Sequence, residues 1–446
     1  MPLITVPRLR RMASRHEMIG RRCLMPKSET IRAILVTSIL VPALMGADVG
    51  LPRWAPQDAE GAPILEDASD KVVLEMPEKR LRVDLFAGGT YLFDTNPNLV
   101  PNGEGTAISI IDFGFDINMG DPSQQGSYYQ LQYTGTRFGY GDDSFSPGGG
   151  SLDHLLHTQI GLKKSRTRFR LSSTYRRSNG NLSEYDELSR ETRRAASDDL
   201  NSMFSIHRDL PHGSLEASFE YFSRNFDGNG LSDGRGYAAD MAWYYEPGFA
   251  PKTELGFGLR LGSDDFDGLA RQQTMTPSFR MRYRMSSKTA VDASFGYERR
   301  DLGGVGDQSI NSLVYSTGVT WDASARTRWE LRANRFVRPS YVTGDGSFEA
   351  SDVILRLNQR LGTKLRLTAS AGFEQADYFG GMSGLATGSR ADEFFKAGVN
   401  LGYPIKLGEK LDGSIDVFYQ YNRNNSSDRA REFEQSVTGV RVGFQY

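Results

Sequence analysis

From residue 81 onward, apolar and polar positions alternate with a period of two over most of the chain. Phe279, Met281, Tyr283 and Met285 alternate with Arg280, Arg282 and Arg284. The next run sets Val291, Ala293, Phe295 and Tyr297 against Asp292, Ser294 and Glu298. Leu313, Tyr315, Thr317, Val319 and Trp321 follow, and then Trp329, Leu331 and Ala333 alternate with Arg328, Glu330 and Arg332. Successive side chains of a strand point to opposite faces, so each run predicts a strand with one apolar and one polar side. Eighteen such runs can be read, from 81–93 to 432–446, within a range of 16–20. At about 9–15 residues they exceed the usual strand of a soluble sheet and match a tilted membrane crossing.

The connections alternate in length as well. Short turns at 163–165, 286–288, 322–326 and 362–363 alternate with Gly/Asp/Ser-rich stretches at 142–150, 227–236 and 378–390. Both features together predict an all-β fold, a transmembrane antiparallel up-and-down β-barrel of about 18 strands over residues 81–446. Lipid offers no partner for a backbone N–H or C=O, so a spanning chain without spanning helices must close on itself. Tyr and Trp near the run ends, at Trp243, Tyr244, Tyr245 and Trp321, fit the membrane–water boundary.

Upstream of the alternating region lies one apolar run, AILVTSILVPALMGA at 33–47, preceded by Lys27 and Arg32. It is too short to span a bilayer as a helix and has the form of a secretory signal over 25–47. Residues 1–24 then read as an over-extended gene start. The Pro-containing, acidic stretch 48–80 reads as a periplasmic linker, too small for a plug domain.

Composition changes this picture little but removes alternatives. The 48 Gly and 49 aromatics (25 Phe, 20 Tyr, 4 Trp) suit an all-β chain with many tight turns. A mean hydropathy of −0.47 does not argue against a membrane barrel, in which only alternate residues meet lipid. With 53 basic and 55 acidic side chains, net charge −2, there is no basic excess for a nucleic-acid partner. The single cysteine, Cys23, precedes the expected mature start, which leaves no disulfide, thiol or cysteine-zinc chemistry.

The last run closes on Val440, Val442, Phe444 and a terminal Tyr446. This pattern resembles the C-terminal signal read by the outer-membrane barrel-assembly machinery, which would be a partner through those four residues. The stretches TYLFDTNPNLV (90–100) and VTWDASARTRWELRANRF (319–336) resemble the β-barrel porin families of the porin-2 type. These are outer-membrane barrels, some encoded beside exopolysaccharide genes. The resemblance implies a porin-like barrel in outer-membrane lipid and leaves its solute open.

Hydrolytic barrels need a nucleophile with a base at the rim. Past the signal the histidines are His154, His157, His207 and His212, and no serine sits in a GxSxG-type elbow. His154 and His157 fall on opposite faces of a strand and cannot share a site. No His/Asp/Glu set has ligand spacing on one strand face, so neither metal nor cofactor is expected, and no enzymatic activity.

The polar faces carry the candidate site. If the apolar positions meet lipid, Arg280, Arg282 and Arg284 face the channel, as do Arg328, Arg332, Arg356, Arg360 and Arg366 on three consecutive strands. Arg168, Arg170 and Lys364 would join them, opposed by inward carboxylates such as Glu216, Glu254, Asp292 and Glu330. Arginine rows favour anions. The longest expected connection, 177–199, carries a capping-box pattern at Ser183 and Asp186 and an Asp186–Arg190 pair, predicting a short helix. As the third long loop it is the candidate constriction, through Asp186, Glu187, Arg190, Arg193 and Arg194. The expectation is an outer-membrane pore for small hydrophilic solutes, anions among them, as a monomer or homotrimer. A barrel that exports or attaches a surface polysaccharide, and a surface adhesin, are the alternatives.

Overall fold

The computed structural model describes residues 81–121, 126–142, 152–181, 195–227, 231–268, 270–303, 309–341, 346–379, 390–408 and 411–446. The expected signal at 25–47, the linker at 48–80 and the constriction residues Asp186, Glu187, Arg190, Arg193 and Arg194 lie outside them.

Eighteen strands form one sheet. The first six are β1 (Leu81–Asp94), β2 (Thr106–Met119), β3 (Gly126–Tyr140), β4 (Leu152–Lys164), β5 (Thr167–Asn179) and β6 (Ala196–Leu210). The next six are β7 (Gly213–Asp227), β8 (Gly234–Tyr245), β9 (Thr253–Phe266), β10 (Gln272–Tyr283), β11 (Thr289–Asp301) and β12 (Ser309–Ser324). The last six are β13 (Thr327–Pro339), β14 (Ser347–Leu361), β15 (Leu365–Phe379), β16 (Ala391–Lys406), β17 (Asp412–Ser426) and β18 (Phe433–Gln445). Each strand pairs antiparallel with its neighbours in sequence, and β1 pairs with both β2 and β18, so the sheet closes without an edge. Among the described residues the helical structure is one 3₁₀ turn, Arg429–Arg431.

The alternation decides which way each side chain points. On β1, Leu81, Val83, Leu85, Tyr91 and Phe93 are exposed on the outer face, while Asp84, Thr90, Leu92 and Asp94 are buried within. The register carries this parity around the ring: Phe257, Phe279, Phe295 and Tyr315 stand opposite one another outside on β9–β12. Lipid solvates the outer row, so its exposed aromatics and aliphatics incur no hydration cost there.

The two ends of the barrel differ. At one, strands are joined by tight turns such as 165–166 and 211–212. Gly213 closes the latter with φ 142, where a Cβ would meet the Tyr244 carbonyl oxygen at 1.9 Å. At the other end, among the described residues, two connections place side chains inward. The β1–β2 connection brings Leu99 into a buried cluster with Phe394 and Phe433, and Asn96 donates to the Glu434 carbonyl at 3.0 Å. The second, between β13 and β14, shapes the site.

Candidate functional site: the charged interior wall

Cross-strand pairing places Arg280 and Arg282 of β10 on the inner face, as the alternation predicts. Neither stands as a free positive charge. Arg280 reaches past β9 to grip Asp240 of β8, with Nη1–Oδ1 at 2.9 Å and Nη2–Oδ2 at 2.5 Å. The path is open because β9 offers a glycine there: a Cβ on Gly258 would come within 2.6 Å of Arg280 Nε. Arg282 reaches further, to both carboxylate oxygens of Glu216 on β7 at 2.9 Å each, with Glu254 at 3.4 Å. Its guanidinium lies 4.1 Å from the centroid of Tyr244. Arg284 lies just beyond β10, exposed at the short-turn end.

The same motif repeats across this side of the barrel. Arg260 pairs with Glu220, and Arg224 with Asp199 at 2.7 Å. Arg300 holds Asp264 at 2.9 Å, Glu298 at 3.0 Å and Gln272 at 2.9 Å. From β6 to β11 the interior is therefore a lattice in which arginines are matched by carboxylates from neighbouring strands. Bidentate guanidinium–carboxylate pairs are planar and directional, so this wall is stiff as well as nearly neutral.

The opposite side is built differently. Arg328 is held by Asp322 at 2.6 and 3.0 Å, and Arg332 also has a partner. Arg356 and Arg360 of β14 and Arg366 of β15 make no ion pair among the described residues. Glu330 is the register partner of Arg356 without bridging to it. Arg360 and Arg366 are register partners of each other, which sets two like charges side by side near the short-turn end. Facing like charges destabilise a sheet unless water or an anion screens them. The eight arginines read from the sequence thus divide into paired members on β10 and β13 and unpaired ones on β14 and β15, with Arg284 at the rim.

One connection reaches far from its own strands through its described residues, and the sequence did not single it out. Beyond the β13–β14 hairpin, the Tyr341 carbonyl accepts from Ser232 N–H at 2.7 Å. The Tyr341 ring packs on Phe266 at 4.8 Å and Phe226 at 5.6 Å, with Arg224 5.3 Å from its centroid. These partners lie on β7, on β9 and beside β8, whereas Tyr341 joins β13 to β14, four to seven strands away around the ring. At about 4.8 Å per strand along the wall, Tyr341 must lie inside the ring to reach them. The hairpin is held along its length: Arg300 donates to the Val337 carbonyl at 3.1 Å, and Gln272 to Ser347 at 3.1 Å. Ser312 donates to Glu349 at 2.5 Å. Arg300, Gln272, Ser263 and Ser347 are buried beneath it. Its sequence, RPSYVTGDGS, looks like an ordinary loop, and only the aromatic at Tyr341 marks it.

The histidines fall as the parity requires. His154 meets Tyr133 on the outer face at 2.9 Å and His157 meets Thr174 on the inner face at 2.9 Å. His207 bridges Glu216 at 3.0 Å and Asp209 at 2.7 Å, extending the paired lattice. Among the described residues no group of three or more His, Cys, Asp or Glu is placed to hold a metal.

A closed eighteen-strand antiparallel sheet, apolar outside and charged within, belongs to the β-barrels of the bacterial outer membrane, and porins are built this way. Comparison with known families agrees: residues 280–446, from within β10 to the C-terminus, match the model described as "Putative beta-barrel porin 2". The matched stretch is of the family type that the sequence resembles, and the chain as a whole is a closed eighteen-strand β-barrel of the outer membrane. No curated protein sequence matches the chain. Solved structures similar to it include Pseudomonas aeruginosa OccK2 (OpdF), at 12% identity and TM-score 0.44, covering 82% of this chain and 97% of that one. The outer-membrane protein OpdK of the same organism has 13% identity and TM-score 0.45, covering 82% and 99%. Acinetobacter baumannii OccAB2 has 11% identity and TM-score 0.45, covering 82% and 98%.

Proposed function

We propose that this barrel is a passive pore for small hydrophilic solutes, with a preference for anions, and not an enzyme. The observation that carries the reading is the asymmetry of the interior. On β6–β11 the arginines are matched by carboxylates, whereas Arg356, Arg360 and Arg366 on β14–β15 are not. The unmatched cations therefore set the local field, and a low-dielectric wall concentrates that field in the channel. The reach of Tyr341 to Phe266 and Ser232 supports a restricted passage, which would favour a small solute over a growing polysaccharide chain.

Planar-bilayer reversal potentials in a salt gradient test the proposal. Anion-over-cation permeability at low salt, fading as salt screens the wall over about 10 Å at 0.1 M, is expected. A cation-selective pore, or a barrel with no conductance, would overturn it.

A further inference from the structure

At the short-turn end, between the β4–β5 and β6–β7 turns, lies a cleft of about 270 Å³. Lys164, Arg166, Arg208 and Asp209 line it, together with Thr167 and Leu210. We propose that it binds the phosphate headgroup of an anionic phospholipid in the inner leaflet of the outer membrane.

Three observations carry this assignment. The first is charge. Asp209 is already engaged, by His207 Nε2 at 2.7 Å and Arg168 at 3.4 Å. Lys164, Arg166 and Arg208 make no ion pair among the described residues, so the cleft holds three cations with its one carboxylate already paired. The second is direction. Lys164, Thr167 and Arg208 are consecutive register partners, and the row continues to Leu215. Leu215 belongs to the outward parity with Leu162 and Trp243, all exposed on the lipid-facing side. The Lys164 and Arg208 side chains therefore leave the wall toward lipid rather than toward the channel. The third is depth and shape. Leu162 lies two residues above Lys164, and Trp243 and Tyr245 mark the interface at the same end. The two turns are tied together by the Asp209 N–H donating to the Arg166 carbonyl at 2.8 Å, so the cleft is a fixed feature of the fold. A cationic cleft at headgroup depth beside apolar and aromatic side chains is complementary to a phosphodiester whose acyl chains run along the barrel.

Native mass spectrometry of the full barrel in neutral detergent, with equimolar phosphatidylglycerol and phosphatidylcholine, tests the site. One phosphatidylglycerol should stay bound under activation that strips phosphatidylcholine. Retention should fall several-fold in the Lys164→Gln/Arg166→Gln/Arg208→Gln variant. It should persist in a control altered at the other basic turns, Lys252→Gln/Lys288→Gln/Lys406→Gln. If the triple variant does not fold, Arg208→Gln alone carries the comparison. Equal retention of the two lipids, or undiminished retention in the site variant, overturns the proposal. So does inorganic phosphate that competes at the same concentration as the lipid, because the cleft would then be a free-anion site. Channel selectivity is not involved in this readout, so its failure would leave the pore reading standing.

Discussion

Arg282 on β10 holds both carboxylate oxygens of Glu216 on β7 at 2.9 Å, bridging 66 residues of sequence across the inner wall. This contact makes a ladder of alternating positions into a paired lattice, and it predicts the effect of breaking it. Arg282→Gln leaves Glu216 and Glu254 facing the channel without their shared cation. The pair is only partly buried, so stability should fall by about 1–2 kcal/mol, below the cost of opening a fully buried one. Selectivity should move toward cations. Thermal unfolding and reversal potentials of the same preparation check both. Unchanged selectivity would mean that this wall does not face the permeant ion.

The hairpin carrying Tyr341 supplies a second prediction. Its aromatic contacts with Phe266 and Phe226 are each worth about 0.5–1.5 kcal/mol beyond burial, so Tyr341→Ala should loosen the hairpin without unfolding the barrel. Single-channel conductance should rise and fluctuate more, and removing 340–346 should raise it further. A conductance unchanged by both variants would place the narrowest point elsewhere.

The C-terminal strand supplies a third. Tyr446 N–H donates to the Leu85 carbonyl at 2.9 Å, and Leu85 N–H to the Tyr446 carbonyl at 3.0 Å. Phe444 stands opposite both Ala87 and Gly413. Deleting 444–446 unpairs the closing seam, and each backbone group left bare in lipid costs several kcal/mol. Unfolded protein should accumulate in the periplasm, visible as loss of the heat-modifiable band on gels. Normal insertion of the truncation would contradict this.

Much of this architecture was legible in the sequence, for one physical reason. A membrane barrel repeats a single rule, apolar out and polar in, so the eighteen runs, their parity and the alternation of turns and loops could be read locally. The opposite faces of His154 and His157 follow from the same rule. The partners of the arginines did not, because Arg280 meets Asp240, and Arg282 meets Glu216, only through the stagger of strands around the ring. The inward Gly256 and Gly258, which clear a path over β9, were a faint signal of long side chains lying flat. The Tyr341 contacts depend on strands more than 70 residues upstream, which no local pattern reports.

Topology can be tested with added cysteines, since the chain's single cysteine, Cys23, precedes the barrel. Ser287 sits in a tight turn and Ala430 in the 3₁₀ turn at the opposite end. An impermeant thiol reagent on intact cells should label Ala430→Cys and leave Ser287→Cys unmodified until the outer membrane is opened. The reverse pattern would invert the barrel.

The last prediction concerns Arg360 and Arg366, cross-strand partners on β14 and β15 with no carboxylate bridging them. Two guanidiniums held side by side repel each other, and that repulsion is relieved when an anion or water shares their donors. Each is exposed, so removing one charge should cost the fold little and relax the strand pair. Arg360→Gln/Arg366→Gln should therefore insert normally, with stability unchanged or slightly raised, while anion preference falls. Arg356→Gln, four residues from Arg360 on the same face of β14, should add to the loss. The contrast with Arg282→Gln is the informative part: both changes remove positive charge from the interior, but only Arg282→Gln leaves carboxylates without their cation. If the arginine pair sets the field at the periplasmic mouth, current should rectify when voltage drives anions through that end first, and the double variant should lose that rectification. Retained anion selectivity in the Arg356/Arg360/Arg366 triple variant would show that the unmatched charges on β14 and β15 do not control permeation.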